Sequence, residues 1–162
     1  MAKTNIYLKL DGLDGESVDE DHKNWIEVES WSWGVDNPAS FAQGQGGQST
    51  QAHVSSLNIV KHCDKASVTL YKDCTTGKHI ASGTLSCLKL DGDSRVEYMK
   101  VDLTDVMVSS VQWSASGSEH HVHESLGLVF AEFKQTYKLQ QDTGSAQGST
   151  EFGFNVQTSK AS

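Results

Sequence analysis

Three of the seven histidines, His120, His121 and His123, fall within four consecutive positions. Imidazole suits zinc-like metals, and residues two apart on a strand point the same way, so His121 and His123 could act together. A tetrahedral site needs further ligands, and the ligating types nearby are Glu119 and Glu124 alone. The segment therefore reads as a polar loop ahead of a strand at Leu126, with no metal expected. The acidic run Asp11, Asp14, Glu16, Asp19, Glu20 and Asp21 carries the oxygens calcium prefers, but not at EF-hand spacing, and reads as a solvated loop. Gly77-Lys78 ends like a phosphate-binding loop, yet Lys72 stands where the first glycine belongs and His79 where Ser or Thr would hold magnesium. Gly44, Gly46 and Gly47 do not join a strand to a helix in the dinucleotide pattern. No Gly-x-Ser-x-Gly elbow singles out a nucleophile, and Cys74, near a helix C-terminus, lacks the dipole that would activate a thiol. Trp25, Trp31 and Trp33 could stack on sugar rings, although such clusters more commonly fill cores or subunit interfaces.

The elements that would hold these residues are mostly strands. Ile6, Leu8 and Leu10 alternate on one face. In Trp25 to Gly34 both faces are apolar, with Ile26 and Val28 on one and the tryptophans on the other, which leaves Ser30 and Ser32 opposite Trp31 and Trp33. Residues 35–52 hold Pro38, three glycines and four glutamines with little periodicity, and read as a long extended loop. A strand at Leu57, Ile59 and Val60 precedes the one convincing helix, at about residues 65–75, with Asp64 as its N-cap, Gly77 as its stop and Ala66, Leu70, Tyr71 and Cys74 as its apolar stripe. Strand patterning resumes at Ile80, turns at Asp91-Gly92-Asp93-Ser94, and continues through Met99, Val101, Leu103, Val106 and Val108. Leu126, Leu128 and Phe130 face one way, whereas Val129, Ala131, Phe133 and Tyr137 face the other; Phe152, Phe154 and Val156 end the pattern. About eight strands and one helix predict a mainly β, antiparallel β-barrel or two-sheet sandwich, as a single domain over 1–162.

Composition narrows the function. The net charge of −8 supplies no basic footprint for nucleic acid or anionic lipid, so neither nucleic-acid binding nor membrane insertion is expected. The apolar share of 36% implies a lean core that leans on neighbours. Cys63, Cys74 and Cys87 are odd in number and lack CxxC spacing, which suits free thiols in a reducing compartment. The start of the chain alternates instead of offering a signal-peptide run, so export would need other machinery.

Several segments, in this order and spacing, resemble the Hcp family (haemolysin-coregulated protein), the tube protein of the bacterial type VI secretion system. They are NIYLKLDGLDGES, IEVESWSWG, the Gly- and Gln-rich loop, VKHCDKAS, CTTGKH, VEYMKVDLTDVMVSSV, ESLGLVFAEFKQTY and FGFNV. One departure is Val68, where related chains often carry a proline in the first helical turn. The resemblance implies a structural, non-enzymatic subunit without a cofactor. It implies a homohexamer whose rings stack into a tube inside a contractile sheath, capped by a spike protein of the VgrG family. It further implies a bacterial cytoplasmic protein secreted on firing to the medium or a target cell, with small effector proteins carried in its lumen. No fused C-terminal effector domain is expected, because the chain stops shortly after Phe154.

On that reading Ser30 and Ser32 face the lumen, and Trp31, Trp33, Phe130 and Phe133 belong to the subunit interface. Gln43, Gly44, Gln45, Gly46, Gly47 and Gln48 form the ring-stacking loop, where glutamines can bond a neighbouring ring and glycines allow close backbone approach. The alternatives are a carbohydrate-binding β-sandwich protein using the tryptophans and a small metal-dependent enzyme using the histidines.

Overall fold

The computed structural model describes residues 5–39, 41, 51–140 and 146–162. In chain order the elements are β1 (Ile6–Leu10), β2 (Ile26–Glu27), β3 (Ser30–Ser32), β4 (Val35–Asp36), β5 (His53–Val54), β6 (Leu57–His62), α1 (Ser67–Thr76), β7 (His79–Asp91), β8 (Ser94–Ser114), β9 (His123–Gln140), β10 (Ala146–Asn155) and β11 (Lys160–Ala161). All pairings are antiparallel. The main sheet runs β11-β10-β9-β8-β7-β1-β2, and β6 pairs with both β9 and β3. The expected mainly β fold with one short helix is therefore what forms, but the sheet rolls around its core without closing as a barrel. The expected long strand from Trp25 is two short ones. Val28 N–H bonds Ile6 C=O and Glu29 N–H bonds Val60 C=O, which hands the chain from β1 to β6.

The core joins Leu8 and Leu10 of β1, Ile26 and Val28, Leu57 and Ile59 of β6, Leu70 of α1 and the inward residues of β7, β8 and β9. Strict alternation fails in one band. Ile80, Val106 and Phe130 are buried in register, and so are Gly83, Leu103 and Phe133 three residues further along each strand. An odd step should reverse the face. Asp105, with φ of 54°, lies in this band and turns the pleat over, a conformation aspartate tolerates better than most residues. Phe130 and Phe133, expected on opposite faces, thus share the core, with ring centroids 6.0 Å apart. The chain between β2 and β3 does the same, so Trp31 and Trp33 pack against the core that Ile26 and Val28 enter.

The acidic segment after β1 is not wholly solvated. It folds over the second face of β1 and β7, burying Tyr7, Ser17, His22 and Ser86. His22 stacks on Tyr7 at 4.6 Å, and Asp19 pairs with both His22, at 3.0 Å, and Arg95. Burial works against ionisation of Asp19, but the His22 hydrogen bond and the Arg95 charge outweigh it and hold its pKa below the usual carboxylate value. Gly15 is required here, because a Cβ would lie 2.4 Å from Trp25 C=O.

α1 starts two residues later than its expected cap implies. Asp64 Oδ1 accepts the Ala66 N–H at 2.9 Å, so it caps the turn before the helix, and Ala66 occupies the cap position without a side-chain bond. Gly77 ends the helix in the left-handed conformation at φ 66°, as expected. Ala66 and Leu70 are buried, whereas Tyr71 leaves the stripe, half exposed, and rests on Trp113 at 4.9 Å. Within residues 35–52, Val35–Asp36 is not loop but strand, paired with His53–Val54.

Candidate assembly surface

β3 sits where the sheet bends, and its side chains divide as expected from the sequence. Ser30 and Ser32 are exposed; Trp31 and Trp33 are half-buried. Through Ser30↔Val60 and Ser32↔Asn58 on β6, and then Val60↔Ser125 on β9, the serines share an exposed face with Asn58 and Ser125, beside the half-buried Val60. Trp33 Nε1 donates to Ser55 C=O at 3.0 Å, which pins its indole beside the β4–β5 pair.

Beside Trp33, which follows β3, an open cavity of about 380 Å³ is walled by that indole and by side chains of β4, β5, β9 and β10, with Val35, Val54, Phe133, Phe152 and Phe154 among them. Phe133 is its floor, edge-on to Trp33 at 4.8 Å and 5.9 to 6.0 Å from the rings of Phe154 and Phe152. Of the four residues expected at a subunit interface, Phe130 and Phe133 are largely buried within the subunit, at 9% and 6% exposure, with Phe133 also forming the floor of the open cavity. Phe152, 48% exposed, was missed as a surface residue, because its alternation with Phe154 looks the same for a core strand and a rim strand. Gln43, Gly44, Gln45, Gly46, Gly47 and Gln48 lie outside the described residues.

At the other end of β6 two consecutive cross-strand pairs face opposite ways: Lys61↔Glu124 inward and His62↔His123 outward. Lys61 Nζ bonds Asp64 Oδ1 at 3.1 Å and Ser67 Oγ at 3.0 Å and lies 3.6 Å from Glu124 Oε1. Glu124 Oε2 accepts from Trp113 Nε1 at 3.0 Å. Glu124, one of the carboxylates near the histidines in sequence, is thus committed to the interior. Outside, Glu29 Oε1 lies 2.5 Å from His62 Nε2, and Glu119 Oε2 lies 3.2 Å from His123 Nε2. The ligating atoms of Glu29, His62 and His123 fall within 4.8 Å of one another. Glu29 and His62, distant from His123 along the chain, are thus brought beside it by the fold.

Over residues 7–137 the sequence matches the family described as "Type VI secretion system effector, Hcp". The chain belongs to the Hcp family. It is 33% identical over 153 residues to protein hcp1 of Pseudomonas aeruginosa, covering 94% of each. The fold matches a structure described as that of a type six secretion system protein, with a TM-score of 0.91, 33% identity and 98% and 99% of the two chains covered. Hcp1 from Salmonella typhimurium superposes at a TM-score of 0.79 with 35% identity, over 97% of each chain. Membership in the family places the chain among type VI secretion proteins and makes that system its route of secretion. No helix among the described residues is long and apolar enough to cross a membrane.

Proposed function

We propose that this Hcp-family chain is a non-enzymatic building block: six copies close a ring, rings stack into a tube, and small effector proteins ride in the lumen. The observation that carries the reading is the open apolar cavity beside Trp33. A subunit working alone would leave its walls, with half of Phe152, in contact with water. A neighbouring copy inserting an aliphatic or aromatic side chain there would remove them from solvent.

In this arrangement the exposed, short side chains of Ser30 and Ser32 line the lumen and touch cargo, and residues 43–48 bridge successive rings. A ring of six chains at −8 each carries about −48, so stacking works against repulsion that salt screens. The spike protein, the contractile sheath and export from the cytoplasm on firing follow from the same reading. Native mass spectrometry of the purified chain tests it: a hexamer is expected at micromolar concentration, and a persistent monomer overturns it.

A further inference from the structure

We propose that Glu29, His62 and His123 form a binding site for a zinc-class transition metal on the solvent-exposed face of the β6–β9 junction. This does not rest on the assembly reading, since all the residues belong to one subunit.

The backbone brings the ligands together. His62 and His123 are direct register partners, so their side chains leave the sheet on the same face. Glu29 is delivered by the hand-over between β2 and β3, fixed by its N–H bond to Val60 C=O at 2.8 Å. The carboxylate already spans the two rings: Oε1 lies 2.5 Å from His62 Nε2, and Oε2 lies 4.0 Å from His123 Nδ1. A metal about 2.0 to 2.2 Å from each donor needs them roughly 3 to 4 Å apart, so a small side-chain rotation closes the set.

The surroundings are those a metal-binding imidazole requires. His123 turns Nδ1 towards Glu29 and holds Nε2 against Glu119 Oε2 at 3.2 Å, and a carboxylate on the second nitrogen orients a ligating ring and raises its basicity. His121 stacks on His62 at 4.6 Å, which helps hold that ring in place. The ammonium of Lys61 does not oppose a cation, because it lies inside the sheet among Glu124, Asp64 and Ser67. Two imidazoles with one carboxylate select zinc, nickel or copper over calcium and magnesium, which want oxygen ligands. A bound ion would tie the start of β3 to β6 and β9, steadying the strand that carries Ser30 and Ser32.

The test is calorimetric titration of the full, tag-free chain with zinc at pH 7.5. One ion per chain is expected, with affinity falling at least tenfold in H62A and in H123A and unchanged in H53A, a histidine far more exposed and apart from the cluster. Cobalt in place of zinc should give the visible absorption of a tetrahedral centre, lost in the same variants. If a histidine variant fails to fold, E29Q and the unmodified chain decide the matter. E29Q should lower the affinity at least tenfold. Absence of stoichiometric binding to the unmodified chain, or equal affinity in H62A, H123A and E29Q, overturns the site.

Discussion

Lys61 and Glu124 face each other across β6 and β9 with both side chains wholly excluded from solvent, 3.6 Å apart. Their partners reach from Asp64 before the helix and Ser67 at its first position to Trp113 on β8. The pair therefore ties α1 to the sheet.

Lys61→Met strands the Glu124 carboxylate without its counter-charge and should destabilise the fold by about 3 to 5 kcal/mol. Adding Glu124→Gln should recover most of the loss. Urea unfolding at one fixed protein concentration measures both, and equal midpoints for the single and double variants would show that the pair is not coupled.

Asp19 ties stability to acid. Its folded pKa is depressed, so its contribution is complete above the unfolded value of about 3.9 and disappears as pH falls through the folded value. Asp19→Asn should cost roughly 1 to 3 kcal/mol at pH 6, through the lost charge-assisted bonds to Arg95 and His22. The gap between variant and unmodified chain should narrow progressively once pH falls below about 3.9 towards the depressed folded pKa. A gap that holds constant from pH 6 to pH 3 would exclude this origin.

At the cavity rim, Phe152→Glu replaces a half-exposed ring with a carboxylate. Burying that charge against a neighbouring copy costs at least about 3 kcal/mol per contact, more than a hundredfold in association. The variant should stay folded by circular dichroism yet run as a monomer in native mass spectrometry. An unaltered hexamer would place the subunit contact elsewhere.

Ser32→Gln enlarges an exposed side chain without touching the core. Rings should form normally, while the amount of co-purifying effector falls about tenfold, as the loss of about 1.4 kcal/mol of contact requires. Full retention of every cargo would remove Ser32 from the lumen.

Removing residues 43–48 should leave rings and abolish tubes in electron micrographs, and raising salt should favour tubes of the unmodified chain. Normal tubes from the shortened chain would move stacking to other surfaces.

Much of this protein can be read along the chain because the patterns are local. Leu8 and Leu10 alternate into the core, Asp91 to Ser94 turns β7 into β8, and Gly77 stops the helix in the one conformation that suits it best. Each depends on neighbours within a pleat or a turn, and so does the order of segments that marks the family. What escapes is set by pairing between distant strands. Asp105 reverses the inward face of three strands, so Phe133 joins Phe130 in the core although two-residue alternation separates them. Register puts Glu124 opposite Lys61 and His123 opposite His62, sending neighbours in sequence to opposite sides of the sheet. Glu29, far from both histidines along the chain, reaches them because the β2–β3 hand-over ends at Val60. Side-chain direction has a period of two, so a single left-handed residue or a one-residue change of register exchanges inside for outside, and nothing in the local pattern records that choice.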